Sequence, residues 1–240
     1  MTTQVVARTG IDYGSFGKQL DVYRPAEGPV WGTVLLWHGR GPQERDVLAT
    51  LAREAAGHGV RVVAPDWRSD AADGGWTHLR ESVAWLRAHV GDEAVLAGWS
   101  LGARAAMATV LRPPLWDGWR PTAVVGIAGN YLTSSDPRMG PPAVEDLTVT
   151  QQPSLPVHLV HGTADAVVDV ACSRAFARHL EQHRWPVEYT ELETDHAGVV
   201  MAEYDRTLGR CRPATAEHAL TAGAATARVI ARAVRGTVRV

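Results

Sequence analysis

The chain has 240 residues, of which 45% are hydrophobic and 21% charged, and its formal net charge is -2. A chain of this size can bury one sizeable core, so we expect a single domain over residues 1–240. The near-neutral charge leaves no electrostatic basis for binding nucleic acid or an anionic membrane. Two cysteines, Cys172 and Cys211, are too few for a disulfide framework or a cysteine-ligated metal site.

The N-terminus lacks the features of a targeting segment. Residues 1–12 contain no apolar run of the ~7 residues that a signal peptide needs. No stretch of the sequence approaches the ~18 uncharged apolar residues of a membrane span. We therefore expect a cytoplasmic protein without a membrane partner.

The apolar periodicity switches repeatedly between two types along the chain. Short apolar runs, typical of buried strands, occur at 33–37, 60–64, 94–97, 123–127 and 157–160, with a more alternating run at 187–192. Helix-like stripes lie within 48–55, 79–90, 105–111, 171–180 and 220–234. This alternation predicts an α/β fold with a mainly parallel central sheet flanked by helices.

One segment, 130–156, fits neither period. It is rich in proline and contains few large apolar residues. A long stretch without regular structure inside a compact domain is usually functional or mobile. We expect this segment to form a short lid or a wall of a cleft.

The strongest local signal is the sequence Gly-Trp-Ser-Leu-Gly at 98–102. It follows the apolar run 94–97 directly and precedes a helical stripe, which is the strand-turn-helix context that a G-x-S-x-G nucleophile requires. The tight turn projects the Ser100 hydroxyl above the sheet, and the N-terminus of the following helix favours developing negative charge. The alternative is a glycine-rich turn with a capping serine.

A serine nucleophile needs a base, and the base needs a third group that orients it. Asp165 follows the strand-like run 157–160, and His196 follows the run 187–192. Both therefore lie beyond carboxyl ends of strands, where ligands of open α/β sheets bind. Asp169 is a rival for the acid, although a helix cap is its favoured role, and Asp195 is a weaker rival. We assign His161 and His38 to turn and support roles.

The loop 38–41, which reads His-Gly-Arg-Gly, follows the run 33–37. A glycine-rich turn here can offer a backbone N–H to an oxyanion, alongside the N–H of Leu101, the residue after the nucleophile. By position we choose Arg40 as that donor, with Gly41 second. A simple βα turn without a catalytic role would have the same sequence pattern.

Three aromatic residues lie near the ends of strands, and we take them as candidates for the substrate pocket. They are Trp37, Trp99 and Tyr131. Aromatic walls suit small aryl or short acyl groups, although core packing is the expected role of at least one of the three.

With these motifs the chain resembles α/β-hydrolases of the carboxylesterase or dienelactone-hydrolase-like group. Residues 13–25 are similar to the first hairpin of small esterases, and 62–68 resemble their next strand end. The resemblance implies the α/β-hydrolase fold with a short cap or lid, and a triad at Ser100, Asp165 and His196 without metal or organic cofactor. The loop 38–41 departs from the His-Gly-Gly-Gly of many esterases.

The sequence thus predicts a serine hydrolase that cleaves a small carboxylic ester through an acyl-enzyme intermediate. A thioesterase, amidase or lactonase would use the same three residues. A lyase or a cofactor-free peroxidase could also use them, and a non-catalytic ligand receptor could have the same fold. The expected partner is a small ester-like molecule, and a homodimer stays open.

Overall fold

The structure is a computed structural model that describes residues 4–15, 17–134 and 136–237. Phe16, in the stretch compared with an esterase hairpin, and Ser135, in the segment 130–156, lie outside the described residues. The strands in the described part are β1 (Val5–Tyr13), β2 (Lys18–Pro25), β3 (Gly32–Trp37), β4 (Val60–Pro65), β5 (Val95–Trp99), β6 (Val124–Ile127), β7 (Val157–Gly162), β8 (Val187–Leu192), β9 (Ala202–Asp205) and β10 (Arg210–Pro213).

Eight of these strands form one sheet in the order β1-β2-β4-β3-β5-β6-β7-β8. The pairs β1–β2 and β2–β4 are antiparallel, and every later pair is parallel. In the central register Val34 of β3 lies opposite Val62 of β4 and Val95 of β5. The predicted mainly parallel sheet is therefore confirmed.

Helices cover both faces of the sheet. They are α1 (Ala49–Gly57), α2 (Trp76–His89), α3 (Leu101–Leu111), α4 (Ala143–Val149), α5 (Ala171–Gln182) and α6 (Glu217–Gly236). Side chains alternate along a strand, so Leu35 belongs to the core beneath α2, α3 and α5, while Leu36 belongs to the core beneath α1 and α6. Every residue of α3 is buried, which makes this helix the inner layer behind the predicted nucleophile.

The segment 130–156 contains helical structure that the sequence pattern did not indicate. A 3-10 helix spans Pro137–Met139, and α4 follows it. The Asp136 carboxylate caps the 3-10 helix by accepting from the Arg138 N–H at 3.0 Å, and Leu147 of α4 is buried in the core. The expectation of a long stretch without regular structure is therefore wrong, because local capping and one buried face suffice for short helices.

A second small sheet was also not predicted. Strands β9 and β10 pair antiparallel after the loop that carries His196. Their alternation is short and interrupted by charged residues, so the sequence pattern is weak. Within the described residues, no helix combines the length and the apolar character needed to cross a bilayer.

Candidate active site

Ser100 lies in a sharp turn between β5 and α3. Its backbone has φ 55° and ψ -117°, a conformation that a residue with a side chain rarely adopts. The Ser100 N–H donates to the Ile127 carbonyl on the neighbouring strand at 2.8 Å, and its carbonyl accepts from Ala103 in α3 at 3.1 Å. A strained backbone conformation that hydrogen bonds hold on both sides is characteristic of the sharp turn that presents a nucleophilic serine.

The two glycines of the motif are required by close approaches of the backbone. A Cβ at Gly98 would lie 2.2 Å from the Gly102 carbonyl oxygen. A Cβ at Gly102 would lie 2.4 Å from the His38 carbonyl oxygen and 2.6 Å from that of Trp37. Since carbon atoms in contact are ordinarily ~3.5 Å apart or more, only glycine lets α3 pack this closely against β5 and β3.

Asp165 and His196 come together at the carboxyl ends of β7 and β8. His196 Nδ1 lies 2.7 Å from Asp165 Oδ2, and the Asp165 side chain is fully buried. The other carboxylate oxygen accepts from the Val167 and Val168 N–H groups, each at 2.8 Å. The carboxylate is thus held in a single orientation in which its Oδ2 faces the imidazole of His196.

The pKa of Asp165 is shifted by opposing effects. Burial raises it, but hydrogen bonds from His161 and His196 outweigh burial and hold the pKa well below its usual range. Asp165 is therefore ionised at neutral pH, and the His196 Nδ1–H donates to it. This tautomer leaves His196 Nε2 without a hydrogen, which is the form that a general base requires.

A second histidine, His161, binds the same carboxylate. Its Nε2 lies 3.1 Å from Asp165 Oδ2 and 2.9 Å from the Val168 carbonyl, and both are acceptors, so Nε2 carries the hydrogen. Its Nδ1 then accepts from the Ser173 hydroxyl at 2.7 Å. The predicted turn role of His161 is incomplete, although the i, i+4 spacing of His161 and Asp165 around a strand end was a usable signal.

The two rival carboxylates of the sequence analysis make other contacts. Asp169 accepts from the Ala171 N–H at 2.8 Å, at the beginning of α5. Asp195 accepts from the N–H groups of Ala197 and Gly198 at 3.1 and 2.7 Å. Both carboxylates thus bind backbone in their own loops, while Asp165 is the one bonded to His196.

The loop 38–41 at the end of β3 is held by His38. The buried His38 ring donates from Nδ1 to the Gly39 carbonyl at 3.0 Å and accepts at Nε2 from the Trp67 N–H at 3.1 Å. Burial lowers the pKa of His38 to about 3, so the ring is neutral and structural. The Gly41 N–H donates to the Ser69 hydroxyl at 3.3 Å, so this second-choice donor has another acceptor.

Leu101 is the first residue of α3, and its N–H therefore has no acceptor within the helix. Gly39 approaches the turn closely, since a Cβ there would lie 3.2 Å from Ser100 Cβ. The loop that carries Arg40 thus adjoins the turn that carries Ser100.

A cavity of about 260 Å³ opens beside Ser100 and Leu101. Arg40 lines it from the loop after β3, Arg104 from α3, and Val168 from the loop after β7. A larger cavity of about 680 Å³, near Trp31, lies by the amino ends of the strands, which is not where α/β sheets bind ligands. The described residues contain no cluster of three or more His, Cys, Asp or Glu side chains that could hold a metal ion.

The structure corrects the predicted aromatic pocket. Trp37 is fully buried, donates from its indole to Ser82 at 3.1 Å and stacks on Trp116. Tyr131 is also fully buried and stacks on Phe176. Both rings belong to the core instead of the cavity, because each packs against another buried aromatic ring.

Trp99 instead packs against the loop that carries His196, the predicted base. Its indole N–H donates to the His196 carbonyl at 2.9 Å, and the two rings pack with centroids 5.2 Å apart. Trp99 thus supports His196 and is not among the residues that line the cavity beside Ser100.

Known proteins share this architecture. A family model described as "Alpha/beta hydrolase family" matches residues 34–237. No curated protein matches the sequence. The fold is similar to that of an esterase from Pyrobaculum calidifontis, with a TM-score of 0.69 and 16% identity over 95% of this chain and 85% of that one.

Two further similar structures cover almost all of both chains. A dienelactone hydrolase from Klebsiella pneumoniae has a TM-score of 0.67 and 16% identity, over 95% of this chain and 99% of that one. S-formylglutathione hydrolase from Staphylococcus aureus has a TM-score of 0.65 and 15% identity, over 98% of each chain. These likenesses confirm the predicted fold.

Proposed function

Because the chain belongs to the alpha/beta hydrolase family, we propose that it is a serine hydrolase that cleaves a small carboxylic ester. The observation that carries the proposal is the 2.7 Å contact between His196 Nδ1 and Asp165, at the edge of the sheet where Ser100 occupies its strained turn. An ester with a short acyl or aryl group suits the small cavity beside Ser100.

The reaction proceeds in two steps. Ser100 Oγ attacks the ester carbonyl while His196 Nε2 takes its proton, and the tetrahedral intermediate collapses as His196 returns that proton to the leaving alcohol. Water then attacks the acyl-Ser100 carbonyl, again with His196 as base, and releases the acid. Asp165 keeps the His196 ring in the required tautomer and stabilises the imidazolium that forms in each step.

Backbone N–H groups of Leu101 and Arg40 stabilise the oxyanion. The removal of one such donor costs ~3 kcal/mol in enzymes where it has been measured, so the position of the loop after β3 matters nearly as much as the side chains. The similar structures named above include an esterase, which supports an ester as substrate. A thioester, an amide or a lactone would pass through the same intermediates.

The proposal is tested with a fluorophosphonate probe, which reacts with activated serines. Wild type, Ser100→Ala and the control Ser154→Ala are labelled side by side, and the adduct is located by peptide mass. We expect one adduct, on Ser100, in the wild type and the control, and none in Ser100→Ala with an unchanged circular dichroism spectrum. An adduct that persists in folded Ser100→Ala, or a wild type that stays unlabelled, contradicts the proposal.

A screen of p-nitrophenyl esters, thioesters, amides and lactones follows the labelling. We expect p-nitrophenyl butyrate to be hydrolysed with a burst of p-nitrophenol, because an acyl-enzyme accumulates when its hydrolysis is slower than its formation. Turnover of only one of the other classes would move the assignment to that class with the same catalytic residues.

A further inference from the structure

The cavity beside Ser100 is positively charged. Its charged lining residues, within the described part of the chain, are Arg40 and Arg104, and no carboxylate lines it there. Arg40 is exposed, whereas Arg104 is only 3% exposed. A cavity with two guanidinium groups and no acid attracts anions, and its low-dielectric walls strengthen that attraction.

Arg104 lies one turn after Ser100 on α3, and part of its guanidinium has no partner. Its Nη2 donates to the Ser134 hydroxyl at 2.9 Å and to the carbonyls of Gly140 and Pro141. Its Nε and Nη1 are shielded from solvent and make no hydrogen bond to any residue that the structure describes. The described residues therefore leave three of the five N–H donors of this guanidinium unused.

No ion pair neutralises Arg104 within the described residues. The two carboxylates that act on its charge, Asp136 and Asp146, are each bound by another arginine: Asp136 by Arg138 at 2.6 Å and Asp146 by Arg112 at 3.0 Å. Burial, together with the charge of Arg112, lowers the pKa of Arg104. A buried charge without a counter-ion is costly, so a ligand that supplies the missing anion is stabilised at this place.

We propose that the substrate carries an anionic group, such as a carboxylate, that binds Arg104 while its ester carbonyl lies at Ser100. This inference rests on the serine hydrolase function proposed above and narrows its substrate to small acidic esters. Because Nη2 is already bonded, Nε and Nη1 of Arg104 offer a carboxylate single charge-assisted hydrogen bonds instead of a bidentate pair. The cavity volume of about 260 Å³ corresponds to roughly nine water molecules at ~30 Å³ each, so the acid is small.

The anion can belong to the acyl part or to the leaving alcohol, and two matched pairs of esters distinguish these. The first pair is mono-p-nitrophenyl adipate and its methyl ester, which differ in charge on the acyl side. The second pair is 4-carboxyphenyl hexanoate and its methyl ester, which differ in charge on the leaving group. For each pair the measured quantity is the ratio of kcat/KM for the acid to kcat/KM for its neutral methyl ester.

We expect a wild-type ratio of about tenfold or more in one of the two pairs, because a hydrogen-bonded ion pair contributes at least that much. Arg104→Gln should lower the ratio to about one, and Arg104→Lys should keep part of it. The control is Arg120→Gln, which removes a cation that also binds the segment 130–156, through the Pro153 carbonyl at 2.7 Å, but does not line the cavity. It should leave the ratio unchanged.

Arg104 also donates hydrogen bonds to the segment 130–156, so the folding of its variants is checked by thermal unfolding. The ratio is insensitive to the fraction of folded enzyme, since both esters are measured on the same sample. A purely structural role would lower both rates and leave the ratio at its wild-type value. Equal ratios in wild type and Arg104→Gln, or a wild type that favours the neutral ester in both pairs, overturn the inference.

Failure of the proposed hydrolase function has a different signature. In that case the wild type hydrolyses neither ester of a pair and takes no fluorophosphonate label. The anion site is then decided by calorimetric titration of Ser100→Ala with monomethyl adipate and dimethyl adipate. Binding of the acid that is lost with Arg104→Gln in the same background retains the site, and absence of binding rejects it.

Discussion

Replacement of Gly102 by alanine tests the packing that carries the candidate site. Gly102 lies in the first turn of α3, where the helix meets the end of β3. An added Cβ would lie 2.4 and 2.6 Å from the carbonyl oxygens of His38 and Trp37. About 1 Å of normal contact distance is missing, so α3 and β3 must move apart.

The expected loss of stability follows from two opposing terms. Overpacking costs ~1–3 kcal/mol, and the upper end applies because both contacted atoms are backbone atoms that cannot rotate away. The higher helix propensity of alanine returns up to ~1 kcal/mol. We therefore expect Gly102→Ala to lower the free energy of unfolding by about 2 kcal/mol.

The same movement shifts the Leu101 N–H relative to the loop that carries Arg40. The proposed mechanism uses this N–H as an oxyanion donor, and the loss of one such donor costs about 10²–10³ in rate, so fluorophosphonate labelling should slow by at least about tenfold. The matched control is Gly57→Ala in α1, where an added Cβ meets no atom within 4 Å. It should change stability by no more than about +1 kcal/mol and leave labelling unaffected.

Urea denaturation followed by tryptophan fluorescence measures the stability of all three proteins. The labelling rates are measured at a urea concentration of zero, where each variant is folded. A Gly102→Ala protein that matches Gly57→Ala in stability and labels at the wild-type rate would refute the packing argument.

Two predictions concern the carboxylate of Asp165. His161→Gln removes the hydrogen-bond donor that lies 3.1 Å from Asp165 and should lower kcat by about ten- to hundredfold with little change in KM. The control is His158→Gln on the same strand, since His158 contacts the exposed Glu188 and not Asp165, and it should leave kcat unchanged. The lowered pKa of Asp165 means that its ionised form stabilises the native state above pH ~4 and that this contribution is lost as the pH falls below that value. The difference in unfolding free energy between wild type and Asp165→Asn should therefore shrink between pH 6 and pH 3, and a constant difference would contradict the assigned shift.

Much of the architecture was readable from local patterns. Apolar runs of four to six residues marked each central strand, and the helical stripes marked α1, α2, α3, α5 and α6. The pattern failed for α4, whose seven residues present little more than Leu147 to the core, and for the hairpin β9–β10, whose strands are four residues long. Short elements carry too few residues for a periodicity to emerge above chance.

The candidate site likewise has features that the sequence predicted and features that it did not predict. The Gly98 to Gly102 motif and the positions of Asp165 and His196 after strands are properties of chain order, because parallel strands bring their carboxyl ends to one edge. The directions of Trp37 and Tyr131 are not, because a residue at a strand end can turn into the core or over the edge. In the folded chain Trp37 stacks on Trp116 and Tyr131 stacks on Phe176, so contacts with distant segments hold both rings in the core.

The sequence by itself determined the order of the central strands and the longer helices, the strained turn at Ser100 and the loops that carry Asp165 and His196. Those features depend on periodicity and on glycine sterics, which act over a few residues. Only the tertiary structure decided that Trp99 supports His196, 97 positions away, and that Arg104 is buried with no counter-ion among the described residues. Both depend on which distant segments pack together, and the free energy of a buried charge is set by neighbours that chain order does not specify.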